Sequence, residues 1–328
     1  MCLLDNLIRK TAELGGSDLH ISCDTVPYIR SAGKMIPLSS EALDAETVYS
    51  FLSLVLSANQ HSTLRERGDV DASYSVGTIR CRINVYRDAM GVSFAVRIIK
   101  DEIPSMKELL LPVGLRRLIN EEHGFIIITG PTGSGKTTTL ASMIEAINQE
   151  QQKHIVTIED PIEYKFSSAK AVIHQREVGR DCDSFYSGLR AALREDPDVI
   201  LVGEMRDAET ISTALAAAET GHLVFSTLHT GNIVESIDRL LQYFPSTSHH
   251  TILSQFANCF LGVAAQKLLP KTGGGRVAAF ELMLRTDSTK NLIRTGAMHQ
   301  IEDYLRPEQG MLKMDSSIEM LRNLRKIA

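Results

Sequence analysis
"FIIITGPTGSGKTTTL", residues 125–140, joins an apolar run to a glycine-rich turn and then to a helix-forming run. The apolar residues predict a strand over Phe125–Thr129, and Thr138–Ile147 predicts a helix. Between them, Gly130-Pro131-Thr132-Gly133-Ser134-Gly135-Lys136-Thr137 has the spacing G-x-x-x-x-G-K-[ST] in the strand–turn–helix context that gives this pattern its meaning. Glycines let successive backbone N–H groups turn inward around phosphate oxygens, and the helix N-terminus adds the positive end of its dipole. Lys136 is placed to reach the β- and γ-phosphates of ATP, Thr137 to offer its hydroxyl to Mg²⁺, and Thr138 continues the same turn. The stretch therefore predicts a nucleotide-binding α/β core.

Working outward, "HIVTIEDPIEY" supplies a second apolar strand over His154–Ile158, ending in Glu159, Asp160 and, past a proline, Glu163. "DVILVGEMRD" supplies a third, Val199–Val202, followed by Gly203 and then Glu204, where most phosphate-loop ATPases carry Asp. A fourth, "GHLVFSTLHT", has His222 before it and His229 after it. Ligands of open α/β sheets bind beyond the carboxyl ends of the strands. Glu159–Glu163, Glu204 and His229 all occupy that position, and acidic strand ends gathered on one edge repel each other unless a cation and phosphate chemistry hold them. His222 and His229 are separated by roughly 23 Å of extended chain at ~3.3 Å per residue, so they cannot share one phosphate. His229 is the candidate to face the nucleotide; His222 has another task, a subunit contact being one. Arg194 and Arg206 are expected to lie near this site, where a structural salt bridge is at least as good a reading as a catalytic role for each.

The chain has 328 residues, 43% hydrophobic and 23% charged, which is about two domains of ordinary soluble globular protein. A net charge of -5 argues against a nucleic-acid binder, which needs a concentrated Lys/Arg face. No apolar run approaches the ~18–20 residues that span a bilayer. "MCLLDNLIRK" places Asp5 in a short Leu-rich stretch without a small-residue cleavage site, so it is read as an amphipathic helix over residues 2–14 and not as a signal peptide. Cys2, Cys23, Cys81, Cys182 and Cys259 are isolated, so neither a zinc ribbon nor a disulfide framework is supported, which suits the cytoplasm. Residues 1–100 read as an α+β module, with "GTIRCRINVYRDAMGVSFAVRIIK" as two strands joined through Asp88–Gly91. A proline-containing linker follows at 101–114, and residues 115–328 alternate strands with helices, as a parallel sheet requires. The segment "ELMLRTDSTKNLIRTG", opened by Glu281, and the chain beyond it read as helical.

Taken in order, GPTGSGKT, IEDPIEY, "LREDPDVILVGEMRD" and "TGHLVFSTLHT" resemble the Walker A, Asp box, atypical Walker B with Glu, and His box of the secretion ATPases of type IV pili and type II secretion. Within them the chain is most similar to the PilT-type pilus retraction branch. The resemblance extends from "SDLHIS" near the start to "NLIR" at 291–294, although the retraction motif around the latter, of the form A-I-R-N-L-I-R-E, reads "STKNLIRT" here. The longer N-terminal region and tetracysteine element common in assembly and secretion ATPases are missing, which also points to the retraction branch. The resemblance implies a RecA-like parallel-sheet ATPase core preceded by a smaller PAS-like α+β domain. It implies a homo-hexameric motor that hydrolyses ATP with Mg²⁺, is peripheral at the cytoplasmic face of the inner membrane and acts on an inner-membrane platform protein, with no direct nucleic-acid partner.

The same resemblance implies roles residue by residue. Glu163 orients and deprotonates the attacking water, Glu204 holds Mg²⁺ through a water opposite Thr137, and His229 belongs to the catalytic set. Gly130 to Thr138, with Glu159 and Asp160, line the nucleotide. From the strand pair that carries Arg80, Arg82 and Arg97, the arginines Arg82 and Arg97 are the candidates offered to a nucleotide across a subunit boundary.

Overall fold
The computed structural model describes residues 2–31, 33–99 and 103–328, in two units, Met1–Glu102 and Ile103–Ala328. The expected domain end at residue 100 and the first two residues of the expected linker lie outside the described residues.

In the first unit, α1 (Leu3–Glu13) buries Leu4, Leu7, Ile8 and Thr11, the i, i+3, i+4, i+7 face that its sequence predicts. The strands are β1 (Asp18–Ser22), β2 (Tyr28–Ser31), β3 (Lys34–Pro37), β4 (Asp69–Val76), β5 (Ile79–Asp88) and β6 (Gly91–Ile99), with the helices α2 (Ala45–Ser50), α3 (Leu52–Val55) and α4 (Ala58–Arg67) between β3 and β4. All neighbours pair antiparallel, in the order β3-β2-β1-β6-β5-β4. Along β5, Cys81, Ile83 and Val85 are buried while Arg80, Arg82 and Asn84 lie on the other face, the period of two of a strand with one face on a core. The β5–β6 hairpin closes at Asp88–Gly91, as expected. Asp88 accepts from the Met90 N–H (2.8 Å) and the Ser93 hydroxyl (2.6 Å), and Gly91 takes φ +126°, a conformation few other residues adopt.

The second unit contains α5 (Val113–Arg117), β7 (Gly124–Thr129), α6 (Lys136–Glu150), β8 (His154–Glu159), β9 (Val172–Glu177), α7 (Phe185–Ala192), β10 (Val199–Val202), α8 (Ala208–Glu219), β11 (Leu223–Leu228), α9 (Ile233–Gln242), α10 (His249–Cys259), β12 (Phe260–Pro270), β13 (Arg276–Leu284), α11 (Asp287–Thr295) and α12 (Met314–Asn323). Its seven strands run β13-β12-β7-β11-β10-β8-β9, all parallel except β13. Every residue of β7 is buried: Phe125 and Ile127 join one apolar cluster, Ile126 and Ile128 another on the opposite face. A strand covered on both sides reads as an unbroken apolar run, which is why this stretch is so legible. Each such side chain contributes about 1.5–3 kcal/mol through burial. Leu111, within the stretch read as a linker, is buried in the second of these clusters.

One expectation fails. Glu281 does not open a helix; it lies inside β13, opposite Ala265 of β12, and the helix begins only at Asp287 after a capping box at Thr286 and Thr289. Val277, Ala279, Phe280, Leu282 and Met283 are all buried. Pairing with β12 satisfies this backbone and buries that apolar surface, which outweighs the weak helical preference of the sequence.

Candidate nucleotide site
The turn from β7 into α6 crosses the carboxyl edge of the sheet. Gly130 and Gly135 are required there by close approach as well as by conformation. A Cβ on Gly130 (φ +152°) would lie 2.4 Å from the Gln266 carbonyl oxygen and 2.5 Å from Ser134 Oγ; one on Gly135 (φ +90°) would lie 3.0 Å from Gln266 Nε2. The three threonines that open α6 divide their work. Thr138 Oγ1 bonds the Tyr164 hydroxyl at 2.9 Å and Thr139 Oγ1 donates to Gln266 Oε1 at 2.7 Å. The Thr137 hydroxyl makes no hydrogen bond among the described residues.

Lys136 is buried, and its ammonium donates to Gly130 O (2.7 Å) and Pro131 O (3.2 Å) and meets His229 Nδ1 at 3.4 Å. Those contacts account for all three of its hydrogens. Because an ammonium only donates, Nδ1 of His229 is the acceptor, and the ring proton sits on Nε2, where it donates to Glu204 Oε2 at 3.1 Å. The opposite oxygen of Glu204 is paired with Arg206, whose other guanidinium nitrogen lies 3.4 Å from Asp160 Oδ2. Burial lowers the Lys136 pKa, and the charges of Glu204 and Glu163 oppose that shift. The structure therefore brings Lys136, His229, Glu204, Arg206 and Asp160 into one chain, with Glu163 electrostatically in range.

Arg206 and Lys136 already bring positive charge to the carboxylates, and His229 donates a hydrogen bond to one of them, so their convergence does not by itself demand a metal ion. The fit to Mg²⁺ rests instead on donor chemistry: the unpartnered Thr137 hydroxyl and the Glu204 carboxylate are hard oxygen ligands of the kind Mg²⁺ takes. Arg206 also shows that the core does place an arginine here, although it is committed to two carboxylates.

Glu159 ends β8 and is buried. Its carboxyl accepts from Thr157 Oγ1 (2.7 Å) and Gln175 Nε2 (3.1 Å), while Gln175 also donates to Tyr164 O (2.8 Å). Burial pushes this carboxyl up to about 7; the bonds from Thr157 and Gln175 oppose the shift, and the charge of Glu163 adds to it. Between its ordinary 4.5 and about 7 the folded state binds more protons than the unfolded chain, so stability falls as pH rises through that window. Glu159→Gln removes the titration. Urea midpoints from pH 5 to pH 8 should therefore show the parent losing up to about 3 kcal/mol relative to the variant. Parallel slopes in the two proteins would mean that Glu159 is ionised in the fold.

The remaining expected residues lie elsewhere. His222 precedes β11 at the amino edge, with Nδ1 2.9 Å from the carbonyl of Ala217 near the end of α8, a structural bond. Arg194 follows α7 at that same edge, two residues beyond the helix and before β10, and so is not beside the phosphate loop. Arg82 and Arg97 stand directly opposite each other on β5 and β6 of the first unit. Arg82 pairs with Asp71 at 3.1 Å and Arg97 with Asp18 at 2.9 Å, so two like charges on adjacent strands are flanked by two carboxylates. In "NLIR", Leu292 and Ile293 are core residues of α11, while Asn291 and Arg294 are exposed and bonded to each other at 2.9 Å. Two residues of the site had no motif to announce them, Gln175 and Gln266; Tyr164 closes the IEDPIEY stretch, whose reading gave it no role.

A phosphate-binding turn at the carboxyl edge of a parallel sheet, faced by acidic strand ends and a histidine, defines a phosphate-loop nucleotide-binding protein with a RecA-like core. The chain belongs to the Type II/IV secretion system protein family, whose model matches residues 68–274. It is 41% identical over 299 residues to the type IV pilus "retractation" ATPase PilT of Pseudomonas aeruginosa, covering 91% of this chain and 87% of that protein. It is likewise 41% identical over 300 residues to the twitching motility protein of Neisseria gonorrhoeae, covering 90% of this chain and 80% of that one. Among solved structures it overlays on the pilus retraction motor PilT with bound ADP at a TM-score of 0.88 and 42% identity, over 97% of this chain and 96% of that one. The Legionella pneumophila ATPase DotB matches at a TM-score of 0.84 and 27% identity, over 99% and 92%.

Proposed function
We propose that this protein hydrolyses ATP to power the retraction of type IV pili, working as a homo-hexamer at the cytoplasmic face of the inner membrane on a platform protein embedded there. The observation that carries this reading is the phosphate loop with its Lys136–His229–Glu204 chain, set in a fold that follows the retraction motor over nearly its whole length. No helix among the described residues is long and apolar enough to cross a membrane, which is compatible with a peripheral motor.

The loop's backbone N–H groups and the α6 N-terminus bind the phosphates, which compete with Gly130 O, Pro131 O and His229 for the Lys136 ammonium. Thr137 and Glu204 would hold Mg²⁺, which neutralises charge on the phosphate oxygens when bound. Glu163 accepts the proton of the water that attacks in line on the γ-phosphate. His229, released from Lys136, still donates from Nε2 to Glu204, which leaves Nδ1 as an acceptor for a water beside the phosphates and not for the phosphate oxygens themselves.

Lys136→Ala should weaken ATP binding by ~10–100-fold, the usual scale for removing a charged hydrogen-bonding partner; unchanged affinity by calorimetry would refute the loop assignment. The direction of the motor is tested in cells. Loss of a retraction motor leaves more surface pili and abolishes twitching, whereas loss of an extension or secretion ATPase leaves no pili or blocks secretion.

A further inference from the structure
Gln266 belongs to no motif, yet it is buried at 3% exposure in β12, immediately beyond the point where that strand stops pairing with β7. Its side-chain amide spans the phosphate loop. Nε2 donates to Ser134 O at 2.7 Å, and Oε1 accepts from Thr139 Oγ1 at 2.7 Å. The first contact fixes more than a carbonyl. The bond between Ser134 and Gly135 is a trans peptide, and in a planar trans peptide the C=O and the following N–H point in opposite directions. With Ser134 O turned towards Gln266, the Gly135 N–H is turned away from it, and it makes no hydrogen bond to any described residue. The second contact ties the same amide to the first turn of α6, so loop and helix are held in one register.

We propose that Gln266 is a positioning residue for the phosphates: it aims the Gly135 amide into the nucleotide site by holding Ser134 O from behind. The inference rests on the reading of this loop as a nucleotide site, and the experiment separates the two. ADP binding with Mg²⁺ is measured by calorimetry for the intact parent protein, Lys136→Ala, Gln266→Met and Gln266→Glu. Methionine fills the space without either hydrogen bond, and ADP affinity should fall about tenfold or more, with the melting temperature close to the parent's.

The glutamate variant supplies a readout that packing alone would not move. At pH 8 the introduced carboxylate faces Ser134 O without a hydrogen to donate, so binding should be weak. As the pH is lowered, a buried carboxyl regains its proton at mildly acidic values; its O–H can then donate to Ser134 O, and the ratio of variant to parent affinity should rise back towards one. Parent-like ADP affinity in Gln266→Met, or an affinity ratio for Gln266→Glu that does not change with pH, overturns the proposal. If both substitutions unfold the protein, Gln266 is a core residue first and the proposal is withdrawn. A parent that does not bind ADP, or a Lys136→Ala protein that binds it equally well, defeats the nucleotide reading itself.

Discussion

Replacing Glu204 with glutamine is expected to keep nucleotide affinity within a few-fold of the parent and to cut ATP turnover by roughly 10²–10³-fold, the scale for losing one preorganised electrostatic group. Glu204 accepts from two sides, from His229 Nε2 at 3.1 Å and from Arg206. Both partners are donors, so an amide in its place must aim its NH₂ at one of them, and one contact is lost whichever way it turns. The negative charge that supports Lys136 disappears as well. None of these contacts forms the phosphate cradle, which consists of backbone N–H groups and Lys136, so binding should survive while chemistry fails. Phosphate release and ADP calorimetry on the same preparation make the measurement. Turnover at the parent rate would make Glu204 an ordinary strand-end carboxylate, its place beside Arg206 being only a salt bridge.

How far the site was legible depends on the range of the interactions that build it. The phosphate loop is local: strand, turn and helix follow one another within 16 residues, from Phe125 to Leu140, and each leaves its own signature. The ends of β8, β10 and β11 were legible for a related reason, since strands buried on both faces stand out as apolar runs and whatever follows them lies at the ligand edge. The edge strand β9 was missed because "VIHQRE" is only partly buried and mostly polar, so Gln175 could not be placed beside Glu159. Gln266 was missed because its partners lie 127 and 132 residues away, and nothing near it in sequence implies them. The error at Glu281 has the same origin: β13 is a strand because β12 pairs with it, which the period of the sequence alone cannot express. At the acidic edge the sequence does not reveal that Arg206 pairs with Glu204 and Asp160 from within the fold, because that contact joins the strand-end residues of β8 and β10.

Mixing two inactive proteins is expected to restore activity. Arg82→Ala and Glu163→Gln should each reduce ATP turnover severely, the arginine by on the order of 10³–10⁵ if it is supplied to a neighbour's nucleotide. Arg82 and Arg97 are paired with Asp71 and Asp18, which raises the question of whether they are available at all. The Arg82 pair is open to water on both sides, with 40% of the Arg82 side chain and 53% of that of Asp71 exposed, whereas Asp18 beside Arg97 is only 16% exposed. An ion pair as open to water as that of Arg82 contributes only about 0–1 kcal/mol, whereas a factor of 10³–10⁵ in rate corresponds to roughly 4–7 kcal/mol. A phosphate in a neighbouring subunit can therefore draw the Arg82 guanidinium away from its carboxylate. In a randomly mixed ring, about one site in four combines an intact Glu163 in its own subunit with an intact Arg82 from the next, and turnover should recover towards that fraction of the parent. Hydrolysis would then require assembly and would couple to movement of the arginine-bearing domain, and a ring built so would turn chemistry into force. If subunit exchange is confirmed and activity does not return, Arg82 acts within its own subunit or outside catalysis, and the inter-subunit mechanism fails while the nucleotide site stands.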